Sequence, residues 1–485
     1  MQGKRSGRRS AVRSGVLTGL SSAAVSGSAA VAGAILSRKF GHGAKTDGFF
    51  AAYAAYVALV LVASALRVVV LPRLARAHAD GALGGETASW ALALAVPLVP
   101  AIAVAIFAPH AIAGLLTSKP HARSNAAELL PWLIPAAAAQ VYAGVVASSL
   151  AALDDYGTAA LGFGAGAVLG LAVIAALVGH GVAAFGWGLA VNGCISVGIP
   201  LGVLVSRGAI GLPDRALWRR LRALGAGVAV PFALQGLYLI GLRFASGLGS
   251  GKPTTFSYAY LIASLLVAVT ATSVALISSV PLARGELTPA LAARHIVAAS
   301  WISLAIVAAA AGFFALAGAR IGRIVLGSSY GGTTGTELGR LVAYLAPWMV
   351  VSVALSVAFP LLFVLGRSRW LPALAAAALL VQVPVEWAGR SAFGLAGLAA
   401  GLAVTTAAVL LVLLRALDAL PATVRGLLVA AASCAVPAVV LYGLPRLVVG
   451  ELPAAIVGLA LYSGALVLWR PPGLVDAWGY LRRLH

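Results

Sequence analysis

The stretch TDGFFAAYAAYVALVLVASALRVVVLPRLAR, residues 46–76, decides the fold of this chain. Its apolar run between Asp47 and Arg67 carries no charge and is long enough, as a helix, to cross a hydrocarbon core of ~30 Å. Similar runs recur along all 485 residues, of which 61% are hydrophobic and only 10% charged. Soluble domains carry roughly 25% charged residues. The chain is therefore predicted to be an all-α polytopic membrane protein.

The same stretch has a counterpart 209 residues further along the chain. Residues 46–76 align without a gap to residues 255–285. The shared offset brings together three pairs of residues: Thr46 with Thr255, Pro72 with Pro281, and Glu128 with Glu337. A repeat that spans six helices keeps the same topology in both copies. We therefore expect two pseudo-symmetric six-helix lobes, followed by two extra helices.

About fourteen transmembrane helices are predicted, and their bounds follow the apolar segments. They are 14–37, 48–74, 87–108, 127–152, 158–178, 183–205, 222–246, 255–282, 296–318, 338–365, 371–385, 391–415, 423–444 and 453–470. The predicted domains are a basic cytoplasmic tail (1–13), an N-lobe of helices 1–6 (14–206), a C-lobe of helices 7–12 (222–415), helices 13 and 14 (423–470) and a cytoplasmic tail (471–485).

The basic residues predict an orientation rather than a nucleic-acid partner. With the N-terminus in the cytoplasm, 21 of the 34 Lys and Arg fall on the cytoplasmic side, 11 on the outer side and two inside helices. This asymmetry places both termini in the cytoplasm and the chain in the cytoplasmic membrane. The first apolar segment is too long for a signal peptide and is expected to stay uncleaved. No basic stripe alternates with aromatic residues, so nucleic acid is not an expected partner.

The turn FGHGAKTDGFF, residues 40–50, joins the first two helices on the predicted outer face. It follows no strand and lacks the Walker spacing of glycines before Lys and Ser/Thr, so it is not a nucleotide-phosphate loop. Thr46 or Asp47 is placed to cap the second helix. The residues that define this turn and the end of the helix after it are Gly41, Gly43, Thr46, Asp47 and Pro72.

This turn and the helix after it resemble the MviN/MurJ-like branch of the MOP exporter superfamily. The shared residues are Phe40, Gly41, Gly43, Thr46, Asp47, Phe49, Phe50, Pro72 and Leu74. The resemblance implies an exporter that moves a lipid-linked saccharide between leaflets by alternating access of two lobes. Lipid II flippases of the branch carry charges on the first and eighth helices, where this chain is neutral until Arg38 and across residues 256–266. The saccharide is therefore left open.

Two arginines fall well inside the predicted helices, Arg67 and Arg243. Because a charge at membrane depth is costly, each is a candidate for binding a diphosphate head group. The simpler alternative is snorkelling to lipid phosphates at either face. Arg38 and Lys39 form an outward basic cluster that is either a head-group exit site or a lipid anchor.

Three classes of function are compatible with these features. The first is a flippase or exporter of a polyprenyl-diphosphate-linked cell-wall or surface-polysaccharide precursor, acting as a monomer among membrane lipids. The second is a multidrug or cation antiporter of the same superfamily, which needs a carboxylate within the membrane. No acid is predicted at the centre of a helix, and Glu386 is assigned to a short outer connection. The third is a membrane enzyme, but no catalytic residues, metal site or cofactor motif are found.

Overall fold

The computed structural model describes residues 2–214, 216–268, 288–367 and 369–483, without the side chains of a few positions inside helices. The described residues form sixteen α-helices and two short 3-10 turns. The helices are α1 Gln2–Phe40, α2 Ala44–Ala79, α3 Leu83–Phe107, α4 Pro109–Leu116, α5 Pro120–Ala152, α6 Tyr156–Leu177, α7 Ala183–Ser206, α8 Leu217–Ala245, α9 Lys252–Val267, α10 Pro289–Leu326, α11 Gly332–Tyr344, α12 Ala346–Val364, α13 Leu371–Ala416, α14 Leu420–Arg446, α15 Glu451–Trp469 and α16 Pro472–Arg483.

Most of these helices can span a membrane. Within the described residues, eleven are long and apolar enough to cross it, or twelve when α11 and α12, bent by 41°, count as one span. The all-α multi-pass class is confirmed, whereas the number fourteen is not. The second half of the predicted eighth helix, including Pro281, lies outside the described residues.

The chain divides into two compact units, Met1–Leu239 and Ile240–His485. In the first unit α5 is central and packs against α2, α3 and α7, while α6 packs between α7 and α1. The close approach of α2 to α5 depends on Gly48, because a Cβ atom there would lie 2.6 Å from the backbone oxygen of Ala122. The glycine in the TDGFF motif is therefore a helix-packing residue.

The second unit is built around α10. This helix packs against α11, α12, α14, α15 and α16. The Tyr442 hydroxyl donates a hydrogen bond to the Ala309 carbonyl over 2.9 Å. The ring of Tyr442 also fills the space beside Gly312 and Gly458. One aromatic side chain thus fixes α14 between α10 and α15.

The long helix α13 is a hairpin of two helical arms. Gly394 has φ 58° and ψ −129°, which interrupts the helix. A Cβ atom on Gly389 would lie 2.5 Å from the Gly397 oxygen. In a straight helix, residues eight positions apart lie about 12 Å apart. The chain therefore reverses at Gly394, and the predicted helices 371–385 and 391–415 correspond to the two arms.

Both predicted tails are helical in their described residues. Helix α1 begins at Gln2, so residues 2–13 are continuous with the first membrane helix. Residues 472–483 form α16, which packs on α10. The Tyr480 hydroxyl lies 3.3 Å from His295 Nδ1 in this contact. At twelve residues α16 is too short to span a membrane, which is why the hydropathy pattern gave no helix here.

Candidate functional site

The turn between α1 and α2 is fixed by backbone geometry and one side chain. Gly41 has φ 68°, in the left-handed region that glycine adopts without strain. Gly43 precedes the first residue of α2, and its N–H donates to Thr46 Oγ1 over 3.1 Å. The Thr46 hydroxyl donates back to the Gly43 carbonyl over 2.8 Å. Of the two predicted capping residues, Thr46 therefore makes the cap, while Asp47 is buried with 2% of its surface exposed.

The second unit has a matching turn before α9. Gly251, with φ 82°, precedes the helix, and the Thr255 hydroxyl donates to its carbonyl over 3.2 Å. Lys252 Nζ forms an ion pair with Glu337 of α11 at 2.6 Å. At the equivalent place in the first unit, Asn125 Nδ2 lies 3.5 Å from the Ala44 carbonyl. Each unit thus ties the start of this helix to a neighbouring helix.

The basic side chains predicted to bind the head group lie in different surroundings. Arg38 and Lys39 occupy the last turn of α1 and are exposed. Arg243 is half-buried in the last turn of α8, with Nη1 3.4 Å from Ser246 Oγ. Arg67 lies on α2, but its side chain is outside the described part of the structure. Pro72 is exposed within α2.

Glu386, predicted to lie in a short outer connection, lies inside a helix, so that prediction is wrong. Glu386 lies in the first arm of α13 and is 0% exposed. Gln382, one turn earlier and equally buried, donates a hydrogen bond from Nε2 to Glu386 Oε1. Glu386 Oε2 and Gln382 Oε1 have no hydrogen-bond partner among the described residues. The pair is a buried polar site within an apolar helix.

Backbone and aromatic groups close around the Glu386 carboxyl. A Cβ atom on Gly401, in the second arm of α13, would lie 3.1 Å from the Glu386 carboxyl group. At Gly241 of α8, a Cβ atom would lie 3.4 Å from Glu386 Oε1 and 3.2 Å from the ring of Phe256. Glycines on two neighbouring helical segments therefore leave room for the carboxyl group.

No arginine of the described chain forms an ion pair with this carboxyl group. Arg390, one turn beyond Glu386, donates from Nη2 to the Gly247 carbonyl over 3.1 Å instead. An isolated carboxylate in apolar surroundings is strongly disfavoured unless a proton or a cation neutralises it. Burial without an ion pair therefore favours a state in which the charge of this carboxyl group is neutralised.

One sequence signal could have found this site. Gln382 and Glu386 are four residues apart in the apolar run LPALAAAALLVQVPVEW, residues 371–387, and that spacing places both on one helix face. The following Ala-Gly-Arg suggested a loop instead. The helix continues to Gly394, so the acid that looked exposed is held inside the unit.

Tyrosines near the starts of α2 and α9 pack in aromatic clusters. Tyr53 stacks on Phe49 and on Tyr56, with ring centroids 5.3 and 5.5 Å apart. In the second unit, Tyr260 packs on Trp348 at 4.9 Å. These rings fill the core beside the start of α2 and α9.

Solved structures of other proteins share this fold, although no similar sequence was found. No protein-family model and no curated protein sequence matches the chain. Among solved structures, the lipid II flippase MurJ in an inward closed conformation superimposes with a TM-score of 0.74 at 13% identity, over 94% of this chain and 99% of that one. An inward-facing multidrug resistance MATE family transporter of the MOP superfamily gives 0.62 at 16% identity, over 84% and 94%.

A third structure extends the likeness within the same superfamily. A MOP superfamily transporter from Pyrococcus furiosus, described as having a binding pocket of reverse polarity, gives a TM-score of 0.57 at 16% identity, over 87% of this chain and 96% of that one. These three solved structures are those of a flippase and two transporters. The resemblance seen in the residues around Thr46 is thereby confirmed at the level of structure. The chain has the fold that MurJ shares with the MATE transporters of the MOP superfamily.

Proposed function

We propose that this chain is a flippase or exporter that moves a polyprenyl-diphosphate-linked saccharide across the cytoplasmic membrane by alternating access. The observation that carries the proposal is the similarity to the lipid II flippase MurJ, which extends over 99% of that chain. The capped turn from Phe40 to Phe50, which led to the MurJ-like branch from sequence alone, supports it independently. The saccharide is a precursor of cell-wall or surface polysaccharide.

The cations predicted to bind the head group remain part of this proposal. Arg243 is half-buried at the end of α8, and Arg38 and Lys39 are exposed at the end of α1. A guanidinium group binds phosphate oxygens through two parallel hydrogen bonds. Arg243 and Arg67 are proposed to bind the diphosphate, while Arg38 and Lys39 receive it at the predicted outer face.

We propose in addition that Glu386 couples transport to a proton or a metal cation. Its carboxyl group is fully buried, bonded only to Gln382 on one oxygen among the described residues, and enclosed by two glycines. Loading with a positive charge removes the cost of burying the anion. Loss of that charge restores the cost, so occupancy of the site can bias the unit between two arrangements.

A multidrug or cation antiporter is the second candidate, and Glu386 is the observation that favours it. From the sequence, an antiporter was disfavoured because no acid was predicted at the centre of a helix, whereas Glu386 is buried within the first arm of α13. The solved multidrug transporter shares the fold with a TM-score of 0.62, compared with 0.74 for MurJ. The flippase is therefore placed first.

The test is a flipping assay in proteoliposomes that contain fluorescent polyprenyl-diphosphate saccharides, lipid II among them. The flippase proposal predicts protein-dependent flipping of at least one of these lipids and a large loss in Arg243→Ala. Arg320→Ala is the matched control, because Arg320 is an arginine of the second unit outside the proposed site. Drug-driven cation exchange without flipping of any of these lipids would establish the antiporter instead.

A further inference from the structure

A second basic site lies where α2 ends, α3 begins and α8 begins, on the face predicted to be cytoplasmic. Its centre is Trp90 of α3, which is 0% exposed and donates from Nε1 to Glu86 Oε1 over 2.8 Å. Two guanidinium groups lie against this indole ring. Arg73 Cζ is 5.5 Å and Arg220 Cζ 6.0 Å from the ring centroid.

Arg220 is paired with both nearby acids. It is 2% exposed and forms ion pairs with Glu86 and Asp214, including a hydrogen bond from Nη2 to Asp214 Oδ2 over 2.8 Å. Asp214 is held in place because its N–H donates to Ser89 Oγ over 2.8 Å. The two carboxylates therefore neutralise Arg220 and supply no ion pair to the remaining arginines of the cluster.

Three arginines at this site form no ion pair with those acids. Arg73 is half-buried, and within the described chain it forms no ion pair within 4 Å. Burial lowers the pKa of Arg73 most, the nearby charge of Glu86 raises it, and repulsion from Arg219, Arg220 and Arg76 lowers it further. Arg76 and Arg219 are exposed. Among the described residues of this cluster, four guanidinium groups and two carboxylates give a net charge of +2.

From this geometry we infer that Arg73, Arg76 and Arg219 bind the phosphate group of a membrane lipid. An anion between these side chains offsets their mutual repulsion. The stacking of Arg73 on Trp90 pre-orders the planar fork that matches phosphate oxygens. The three arginines lie near the ends of apolar helices, where long basic side chains can reach lipid phosphates. The phosphate belongs either to an anionic phospholipid or to a polyprenyl diphosphate.

The site is tested by binding rather than transport, so its outcome is separate from that of the proposed flippase activity. The full chain in phosphatidylcholine nanodiscs is titrated with short-chain phosphatidylglycerol and, separately, with farnesyl diphosphate. We expect Arg73→Ala and Arg219→Ala each to raise the Kd of one probe roughly tenfold or more, the loss typical of a charge-assisted hydrogen bond. The probe whose Kd depends on Arg73 identifies the source of the phosphate.

Arg222→Ala is the matched control, because Arg222 lies on the same helix but stacks on Trp218 at 5.5 Å instead. Arg73→Lys keeps the positive charge but loses the planar guanidinium group, so its Kd should lie between those of the unchanged protein and Arg73→Ala. Thermal unfolding of each variant distinguishes a loss of binding from a loss of folding. Because Arg219 is exposed, its replacement is less apt to disturb folding than that of Arg73. Equal weakening by Arg222→Ala, or unchanged affinity for both probes in Arg73→Ala and Arg219→Ala, would overturn the inference.

Discussion

Replacing Gly389 by Ala tests whether the two arms of α13 touch backbone to backbone. The added Cβ atom would lie 2.5 Å from the Gly397 oxygen and 2.9 Å from its carbonyl carbon. Backbone atoms cannot rotate away, so the arms must separate by nearly 1 Å. Such overpacking costs about 1–3 kcal/mol. The better helix propensity of Ala returns up to about 1 kcal/mol, so a net loss of about 1–2 kcal/mol is expected.

The matched control for this prediction is Gly198→Ala in α7. A Cβ atom there meets nothing within 4 Å, so the same substitution should stabilise the chain by about 0.5–1 kcal/mol. Thermal unfolding in detergent micelles measures both. At about 2–4 °C per kcal/mol, Gly389→Ala should lower the Tm by several degrees, whereas Gly198→Ala should leave it unchanged or raise it. A Tm for Gly389→Ala equal to that of Gly198→Ala would refute the hairpin contact.

Three further predictions follow from side-chain contacts. Glu386→Gln should leave the Tm unchanged, because the amide is the same size as the carboxyl group. It should reduce cation- or proton-dependent transport in proteoliposomes at least tenfold. If transport by the variant depends on the ion gradient as before, Glu386 does not have the coupling role. Thr46→Ala should lower stability to chemical unfolding by about 1 kcal/mol, whereas Thr46→Ser, which keeps the hydroxyl, should lower it far less. The hydrogen bond from Arg220, with that from the Ala216 N–H, lowers the pKa of Asp214 to about 2. The contribution of this ion pair to stability is therefore complete above pH 4 and is lost as the pH falls towards 2. Asp214→Asn should lower the free energy of unfolding by less than about 1 kcal/mol, because the side chain is half exposed. The difference in Tm between this variant and the unchanged protein should vanish near pH 2.

The fold could largely be predicted from the sequence because hydrocarbon thickness fixes the length of an apolar helix. Charge-free runs such as that after Asp47 therefore located the spans of the first unit, although α1 and α5 begin 12 and 7 residues before the predicted starts at 14 and 127. Short helices escaped this signal. The eight residues of α4 and the twelve of α16 are too short to cross a membrane, and their stability comes from packing, which hydropathy does not measure.

The candidate site was harder to predict than the fold. Burial of Glu386 depends on the reversal at Gly394 and on two glycines that lie far from it in sequence. Composition alone treats a Glu near Gly and Arg as a surface residue. Arg220 could not be recognised as a buried, paired residue from the sequence. Its position in a basic segment indicated only the orientation of the chain in the membrane, because its ion pairs with Glu86 and Asp214 form in the tertiary structure.

Helix α16 has a practical consequence for expression and purification. Gly473 lies against the indole ring of Trp301, and Ala477, with 2% of its surface exposed, packs into the same cluster. A shortened version ending at Arg470 would uncover Trp301 and the side chains around it on α10. Such a truncation, although attractive for crystallisation, should favour aggregation on detergent exchange, whereas an affinity tag placed after His485 leaves this contact intact.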